Sequence, residues 1–324
     1  MKSVQFEKTG LPGDVLNLVD INMPEPGPGE VVVKVSTCNI NPADIMFIRG
    51  LYGLKPKLPS PAGFEGAGRI HACGEGVQIA PGTRVVFTTI GAWQEYTCLP
   101  AKTVIPIPDQ INDEAACQAF INPFTAYGML ETSGLGAGDW LLLTAGASAC
   151  AKFVIQMCQE RKINTVCTVR NDQQIDLLKS MGATAVINTE VDDLKTRVME
   201  ITDKKGVKNV FEAVGGELGT KALDCVGRDG MLTTYGMLSL QHMELNAGLL
   251  IFKNITIKGF WLTNWFGSLS GEEMATVSRH ILSALATQQV KADIEAAYSL
   301  EDIKKAVAHM ESPGRNGKVI LKPD

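Results

Sequence analysis

The sequence predicts an α/β protein of two domains, a six-stranded doubly wound parallel sheet and a mainly-β domain. Three observations carry this. Between Asp139 and Trp261, short apolar runs alternate with segments of helical period, the pattern of a parallel sheet with crossover helices. Residues 1–120 are instead rich in β runs punctuated by Gly and Pro. A last apolar run, Lys318-Val319-Ile320-Leu321, follows the sixth strand, so the tail returns to the first domain. The expected boundaries are 1–122 with 264–324 for the mainly-β domain and 123–263 for the doubly wound one.

Composition narrows the function classes. The chain has 324 residues, enough for two ordinary domains. Apolar residues make up 45% and charged residues 20%, which fits a soluble globular chain and excludes disorder. A net charge of −5 gives no basic surface for nucleic acid. No uninterrupted apolar run approaches ~18 residues, so no membrane span is expected. Cysteines at 38, 73, 98, 117, 150, 158, 167 and 225 include no Cys-x-x-Cys pair. Such scatter fits reduced thiols, not a disulfide framework or zinc cluster. Met1–Phe6 enters a strand-like pattern directly, with no signal or transit segment, and a cytoplasmic protein is expected.

In the first domain, Val31–Val35 is a β run after the turn cluster Pro24–Gly29, and Gly66–Ile70 leads into a second. Arg84–Phe87 follows the turn Pro81-Gly82-Thr83, and Trp93–Leu99 alternates in strand fashion. Asp113–Leu130 is helical, with Asn122-Pro123 read as a break. The α/β series begins with the strand Asp139–Thr144, the helix Lys152–Lys162 and the strand Asn164–Val169. It continues as helix Gln173–Met181, strand Ala185–Asn188, helix Val191–Thr202, strand Asn209–Glu212 and helix Gly219–Val226. Met231–Tyr235 and Ile255–Trp261 complete six strands, and 272–289 and 300–311 read as helices.

The turn after the first strand carries the chemistry. Strand, small-residue turn, helix and strand form half of a dinucleotide-binding fold, in which backbone N–H groups and a helix N-terminus approach a pyrophosphate. Here that turn is Ala145-Gly146-Ala147-Ser148-Ala149-Cys150-Ala151, so Gly146, Ala147, Ser148 and Ala149 are its candidate phosphate contacts. Ala145, Ser148 and Ala151 stand where three glycines would be expected. Arg170 lies 22 residues beyond Ser148 and is followed by Asn171. An acidic residue there would bind a ribose 2′-hydroxyl, whereas Arg suits a 2′-phosphate, so NADPH is the expected cofactor. The alternative is an ordinary crossover without ligand.

Over nearly its whole length the chain resembles the medium-chain dehydrogenase/reductase superfamily. That resemblance implies a Rossmann nucleotide domain with a GroES-like catalytic domain. Where the zinc alcohol dehydrogenases of that superfamily place catalytic ligands, this chain has Asn41 of Asn41-Pro42-Ala43-Asp44, Phe64 of Gly63-Phe64-Glu65, and Ile121. Their cluster of four cysteines is missing too. Phenylalanine cannot ligate Zn²⁺, so no metal is expected. Within the zinc-independent branch the chain is similar to the 2-enoyl thioester reductases of the mitochondrial type. The segments that carry this are Asn41–Ile45, Arg49-Gly50-Leu51-Tyr52-Gly53, Gly63–Gly66, Asn122–Tyr127, Thr234-Tyr235-Gly236-Met237 and Phe252-Lys253-Asn254 through Gly259-Phe260-Trp261. NADPH:quinone oxidoreductases share several of them. Where the enoyl reductases carry a second Arg after the second strand, this chain has Asp172, which would repel a 2′-phosphate.

The resemblance implies that Tyr52 is catalytic, its phenol stabilising the enolate formed when hydride reaches Cβ of an enoyl thioester. A loop aromatic packing beside Pro56 is the plainer reading. Asn41 is expected in the same cleft, either touching substrate or holding a loop through its amide. Asn122 and Thr125 resemble cofactor contacts, as do Tyr235, Gly236 and Met237. Phe260 and Trp261 end the sixth strand, where a doubly wound sheet presents its ligand crevice, with core packing as the alternative. Lys318 is expected either to approach a cofactor phosphate or to be an exposed strand lysine. The expected activity is reduction of a polarised C=C bond in a small-molecule enoyl thioester, with a quinone as alternative acceptor. A non-catalytic NADPH-binding sensor is the alternative of another class. A homodimer is expected through the edge strand Ile255–Trp261, which is apolar enough to aggregate if uncovered.

Overall fold

Six strands of residues 122–279 lie side by side in one fully parallel sheet, in the order Ala185–Asn188, Asn164–Val169, Trp140–Leu143, Val207–Glu212, Val226–Thr234 and Thr256–Gly259. Counted along the chain this is third, second, first, fourth, fifth, sixth, the doubly wound order with a reversal point between the first and fourth strands. The computed structural model that shows this describes residues 1–323. Leu141, Leu142, Val166, Val210, Phe211 and Leu232 are fully buried, as expected for a sheet covered by helices on both faces. Each strand foreseen in this series is present.

The other unit comprises Met1–Ile121 and the chain from His280 onward. Its central strand is Glu30–Asn39, which pairs antiparallel with Glu65–Cys73, with Tyr96–Pro100 and, at its far end, with Lys318–Leu321. The tail thus returns to complete the sheet, Ile320 lying opposite Asn39 and Leu321 opposite Cys38. A smaller sheet of Asn17–Asp20, Lys2–Phe6 and Ser60–Pro61 stands beside it. Phe6, Phe47, Phe87 and Trp93 fill the core between these layers.

Several elements differ from the sequence reading. The division of the chain falls after Arg279, not before residue 264. The reason is aromatic: helix Leu262–Ser268 carries Trp265 and Phe266, and Phe266 meets Phe124 edge-on with ring centres 5.5 Å apart. Asn122-Pro123 does not break a helix. Residues 117–120 do, and Pro123 sits in the first turn of Ile121–Glu131, where its missing N–H has no partner to lose. Helices Pro42–Ile48 and Ala247–Lys253 and strand Ile294–Tyr298 were not foreseen. Among the described residues, no helix is long and apolar enough to cross a membrane.

Gly63 joins this framework to the site. Its φ is +91°, and a Cβ there would fall 2.2 Å from Cδ1 of the fully buried Trp93. That close approach lets the indole N–H donate to the Asn39 carbonyl at 2.9 Å. Gly63→Ala combines a left-handed backbone with overlap against a buried indole, and is expected to destabilise the protein by roughly 2–4 kcal/mol. Urea unfolding of the variant beside the parent measures this, and a change below about 0.5 kcal/mol would show that the tryptophan yields freely.

Candidate functional site

At the reversal point of the parallel sheet, the chain leaves Trp140–Leu143 through Thr144 and the small-residue turn. Gly146 is required: a Cβ there would lie 2.7 Å from Cys167 Cβ and 3.1 Å from the Thr168 carbonyl. Ala145 adopts the left-handed conformation at φ 48° without being glycine. Ser148 caps helix Ala149–Glu160, its hydroxyl accepting the Ala151 N–H at 3.3 Å. The N–H groups of this turn and the positive helix end suit a pyrophosphate, so the residues present fit a dinucleotide.

Around the turn the structure gathers several of the expected residues. Tyr235 is half-buried, with its phenol hydrogen-bonded to the Ser148 hydroxyl and the Cys150 thiol, and burial pushes it well above its ordinary pKa. The Cys150 thiol reaches the Asn122 carbonyl at 3.8 Å, and Asn122 is buried. Thr125 lies one turn further along the same helix and is half-buried. Gly236 is needed because a Cβ would come within 2.7 Å of the Ala213 carbonyl, and Met237 beyond it is exposed. Arg170 is exposed immediately after strand Asn164–Val169. Asn171 caps the following turn, accepting the Gln173 N–H at 2.9 Å. Asp172 accepts the Asn188 amide at 2.7 Å, which ties the opposing charge to the neighbouring strand.

Phe260 and Trp261 follow the edge strand Thr256–Gly259. Phe260 and Trp265 lie over Gly128, where a Cβ would be only 2.8 Å from either ring, and Trp261 is the N-cap residue of Leu262–Ser268. Of the two readings, this geometry favours packing for Phe260.

The sequence reading missed Glu212, which is fully buried at the carboxyl end of the fourth strand. Its Oε1 accepts the N–H groups of Val214 and Gly215 at 2.6 and 2.8 Å and the Thr144 hydroxyl at 3.3 Å. It therefore ties together the chain ends at the reversal point. A single charged residue closing an apolar strand before Gly215-Gly216 was the available signal.

A second constellation lies wholly within the first unit. Asn41 is 2% exposed and stands at the head of helix Pro42–Ile48. Its Nδ2 donates to Asn39 Oδ1 at 2.9 Å and to Glu65 Oε1 at 2.7 Å, while its Oδ1 accepts from the Lys318 ammonium. Glu65 also takes the Asn39 amide at 2.8 Å and, through Oε2, the Ile121 N–H at 2.8 Å. Asp44 accepts the Asn41 N–H at 2.6 Å, and its Oδ1 has no hydrogen-bond partner. Burial raises the Asp44 carboxyl to about 7, against the opposing pull of the Asn41 N–H and the Lys318 ammonium. Burial likewise raises Glu65, and it lowers Lys318 to about 8.

These contacts bear on two readings. The Asn41 amide is bonded to Asn39, Glu65 and Lys318, which favours its holding structure. Lys318 is not an exposed strand lysine: it is 5% exposed and its ammonium faces inward to Asn41, so the expected phosphate contact is not supported. Tyr52 follows the same helix and is half-buried, its ring 5.4 Å from that of Phe64. Among the described residues, no three His, Cys, Asp or Glu side chains are grouped to hold a metal ion.

Comparison with known proteins places these features in context. Residues 27–109 match the alcohol dehydrogenase GroES-like domain, and residues 150–283 match the zinc-binding dehydrogenase family. The chain is 30% identical over 337 residues to the mitochondrial enoyl-acyl-carrier-protein reductase of Xenopus tropicalis, covering 99% of this chain and 95% of the relative. It is similar in structure to quinone oxidoreductase from Escherichia coli complexed with NADPH, with TM-score 0.93, 29% identity and all of both chains covered. It is also similar to the protein of an Etr1p/NADP/crotonyl-CoA complex, with TM-score 0.86, 25% identity and 99% of each chain covered.

Arg170→Ala removes a guanidinium suited to a 2′-phosphate, a charge-assisted contact of ~1.5–3 kcal/mol. NADPH affinity is therefore expected to fall roughly tenfold to a hundredfold, with NADH affinity nearly unchanged. Titrating both nucleotides by their own fluorescence checks this, and parallel losses for the two would remove Arg170 from phosphate recognition.

Proposed function

Since the chain belongs to the medium-chain dehydrogenase/reductase superfamily, in its zinc-independent type, we propose that it reduces the activated C=C bond of an α,β-unsaturated carbonyl, with a 2-enoyl thioester of CoA or acyl carrier protein as substrate. It is an NADPH-dependent oxidoreductase with a Rossmann unit and a GroES-like unit. Gly146, Ala147, Ser148 and Ala149 would hold the pyrophosphate, Arg170 and Asn171 the 2′-phosphate end, and Asn122, Thr125, Tyr235 and Gly236 the part nearer the nicotinamide. Bound NADPH supplies the hydride.

The observation that carries the substrate reading is Tyr52, a half-buried phenol braced on Phe64 in a unit with no group of metal ligands among its described residues. When hydride reaches Cβ of an enoyl thioester, negative charge develops on the carbonyl oxygen. A hydrogen-bond donor stabilises such charge, and the Tyr52 hydroxyl is suited to supply it. It can also deliver its proton to Cα. The relative bound to crotonyl-CoA and the enoyl reductase relatives support this reading. The quinone oxidoreductase of similar fold supports a second, in which the acceptor is a quinone.

The two acceptors separate in Tyr52→Phe, assayed in chelator-treated buffer. The variant keeps the ring and loses one donor, which typically lowers kcat ~10²–10³-fold where that donor faces an oxyanion. Crotonyl-CoA turnover is expected to fall by that factor with NADPH affinity retained. Turnover of an ortho-quinone should be largely kept, since its product oxygens take protons from water. Equal loss of both would make Tyr52 a shaping residue. NADPH binding by the parent protein without turnover of either acceptor would favour a non-catalytic sensor.

The same reading includes a homodimer in the cytoplasm. Thr256–Gly259 is the edge of the parallel sheet, and beside it helix Ala247–Lys253 exposes Ile251 and Phe252 at 71% and 74%. Unpaired strand edges and apolar side chains of this kind call for cover. All eight cysteines are free thiols, in keeping with a reducing compartment. Sedimentation velocity at micromolar concentration is expected to show a dimer, and Phe252→Asp to shift it towards monomer. A monomeric parent protein contradicts the assignment.

A further inference from the structure

Lys318 is a buried cation that the reaction scheme above does not use. It enters from the C-terminal strand, whose pairing with Cys38 and Asn39 brings it beside Asn41. Its contact fixes the Asn41 amide. An amide nitrogen has no lone pair to offer an ammonium, so Oδ1 must face Lys318 and both Nδ2 protons must face Asn39 and Glu65. Two separate supports of Tyr52 then lead back to this point. One is helix Pro42–Ile48, headed by Asn41 and followed within four residues by Tyr52. The other is Phe64, the ring against Tyr52, which precedes Glu65 in the chain. Phe64 also meets Phe47 of that helix at 5.0 Å, so the two supports touch.

We propose that Lys318 is a positioning residue, which holds the Asn41 amide and balances Glu65 and thereby fixes both elements that place Tyr52. This rests on the reading of Tyr52 as the group that stabilises the enolate. Without the ammonium, the Asn41 carbonyl is left without its donor and two buried carboxylates lose their counter-charge. The helix head then has no single preferred arrangement. The Tyr52 hydroxyl is displaced from its working position while the nucleotide-binding unit is untouched. A displacement of about 1 Å in such a group lowers turnover by up to about a hundredfold.

The test compares Lys318→Met and Lys318→Met/Glu65→Gln with the parent protein, all saturated with NADPH. The double variant removes one uncompensated carboxylate together with the ammonium, so it carries the result if the single variant fails to fold. Hydrogen exchange of peptides spanning 41–53 is expected to rise tenfold or more in the variants, with peptides of the parallel sheet unchanged. The kcat for crotonyl-CoA should fall tenfold to a hundredfold, with KM altered less than threefold and NADPH affinity within twofold. Parent-like exchange in 41–53 together with a tenfold loss of NADPH affinity would make Lys318 a cofactor ligand. Parent-like exchange and kcat in the double variant would reduce Lys318 to charge balance alone. Either outcome overturns the proposal. If the parent turns over neither crotonyl-CoA nor a quinone, the substrate reading fails by itself, and exchange in 41–53 still decides the role of Lys318.

Discussion

Asp44 and Glu65 are almost fully removed from water in the first unit, and Lys318 is the cation whose charge reaches both. Removing a carboxylate from water costs several kcal/mol even after relaxation, and it is tolerated only where donors and counter-charge replace the lost hydration. Much of this unit's local architecture can be read as meeting that demand. Asn39 and Asn41 turn their amides to Glu65, the head of helix Ile121–Glu131 gives it a backbone N–H, and the C-terminal strand delivers the ammonium. Such a network contributes little net stability compared with well-packed apolar residues, but any single deletion leaves an uncompensated charge behind. Its value lies in specificity of arrangement.

The nucleotide-binding unit handles its own buried carboxylate differently. Among the described residues no cation is paired with Glu212, which accepts from backbone N–H groups and threonine hydroxyls of the loops it organises. Glycine is used just as locally. Gly146 and Gly236 stand where a Cβ would strike backbone or neighbouring side chains, whereas Ala145 bears a positive φ with its methyl in place. Within the small-residue turn 145–151 the demand for space is thus met at Gly146 alone, while Ala145 takes the left-handed conformation.

The parallel sheet was legible because its signals are local: strand runs, helical periods and the small-residue turn follow one another in sequence. What escaped depended on long-range partners. Ile294–Tyr298 reads Ile-Glu-Ala-Ala-Tyr, weak in intrinsic strand preference, and becomes a strand by pairing with Lys318–Leu321. Lys318 was read as a phosphate contact or an exposed strand lysine because nothing near it in sequence shows that Asn41 lies opposite. For Phe260 the crevice and core packing stayed open, since its packing partner Gly128 is distant in the chain. The resemblance marked Asn41 and Phe64 as replaced ligand positions, but only the fold shows that the Asn41 amide, the Glu65 carboxylate and the Lys318 ammonium form one hydrogen-bonded unit.

The order of the strands has a consequence for biosynthesis. Residues 122–279 hold all six strands of the parallel sheet, so that unit can close as soon as its own segment has left the ribosome. The first unit is begun before it but lacks Lys318–Leu321 until that later segment emerges. Until then Asp44 and Glu65 lack that ammonium, and burying them would leave two carboxylates without counter-charge. A ribosome stalled between residues 279 and 318 would therefore carry every strand of the parallel sheet together with a first unit still missing its closing strand.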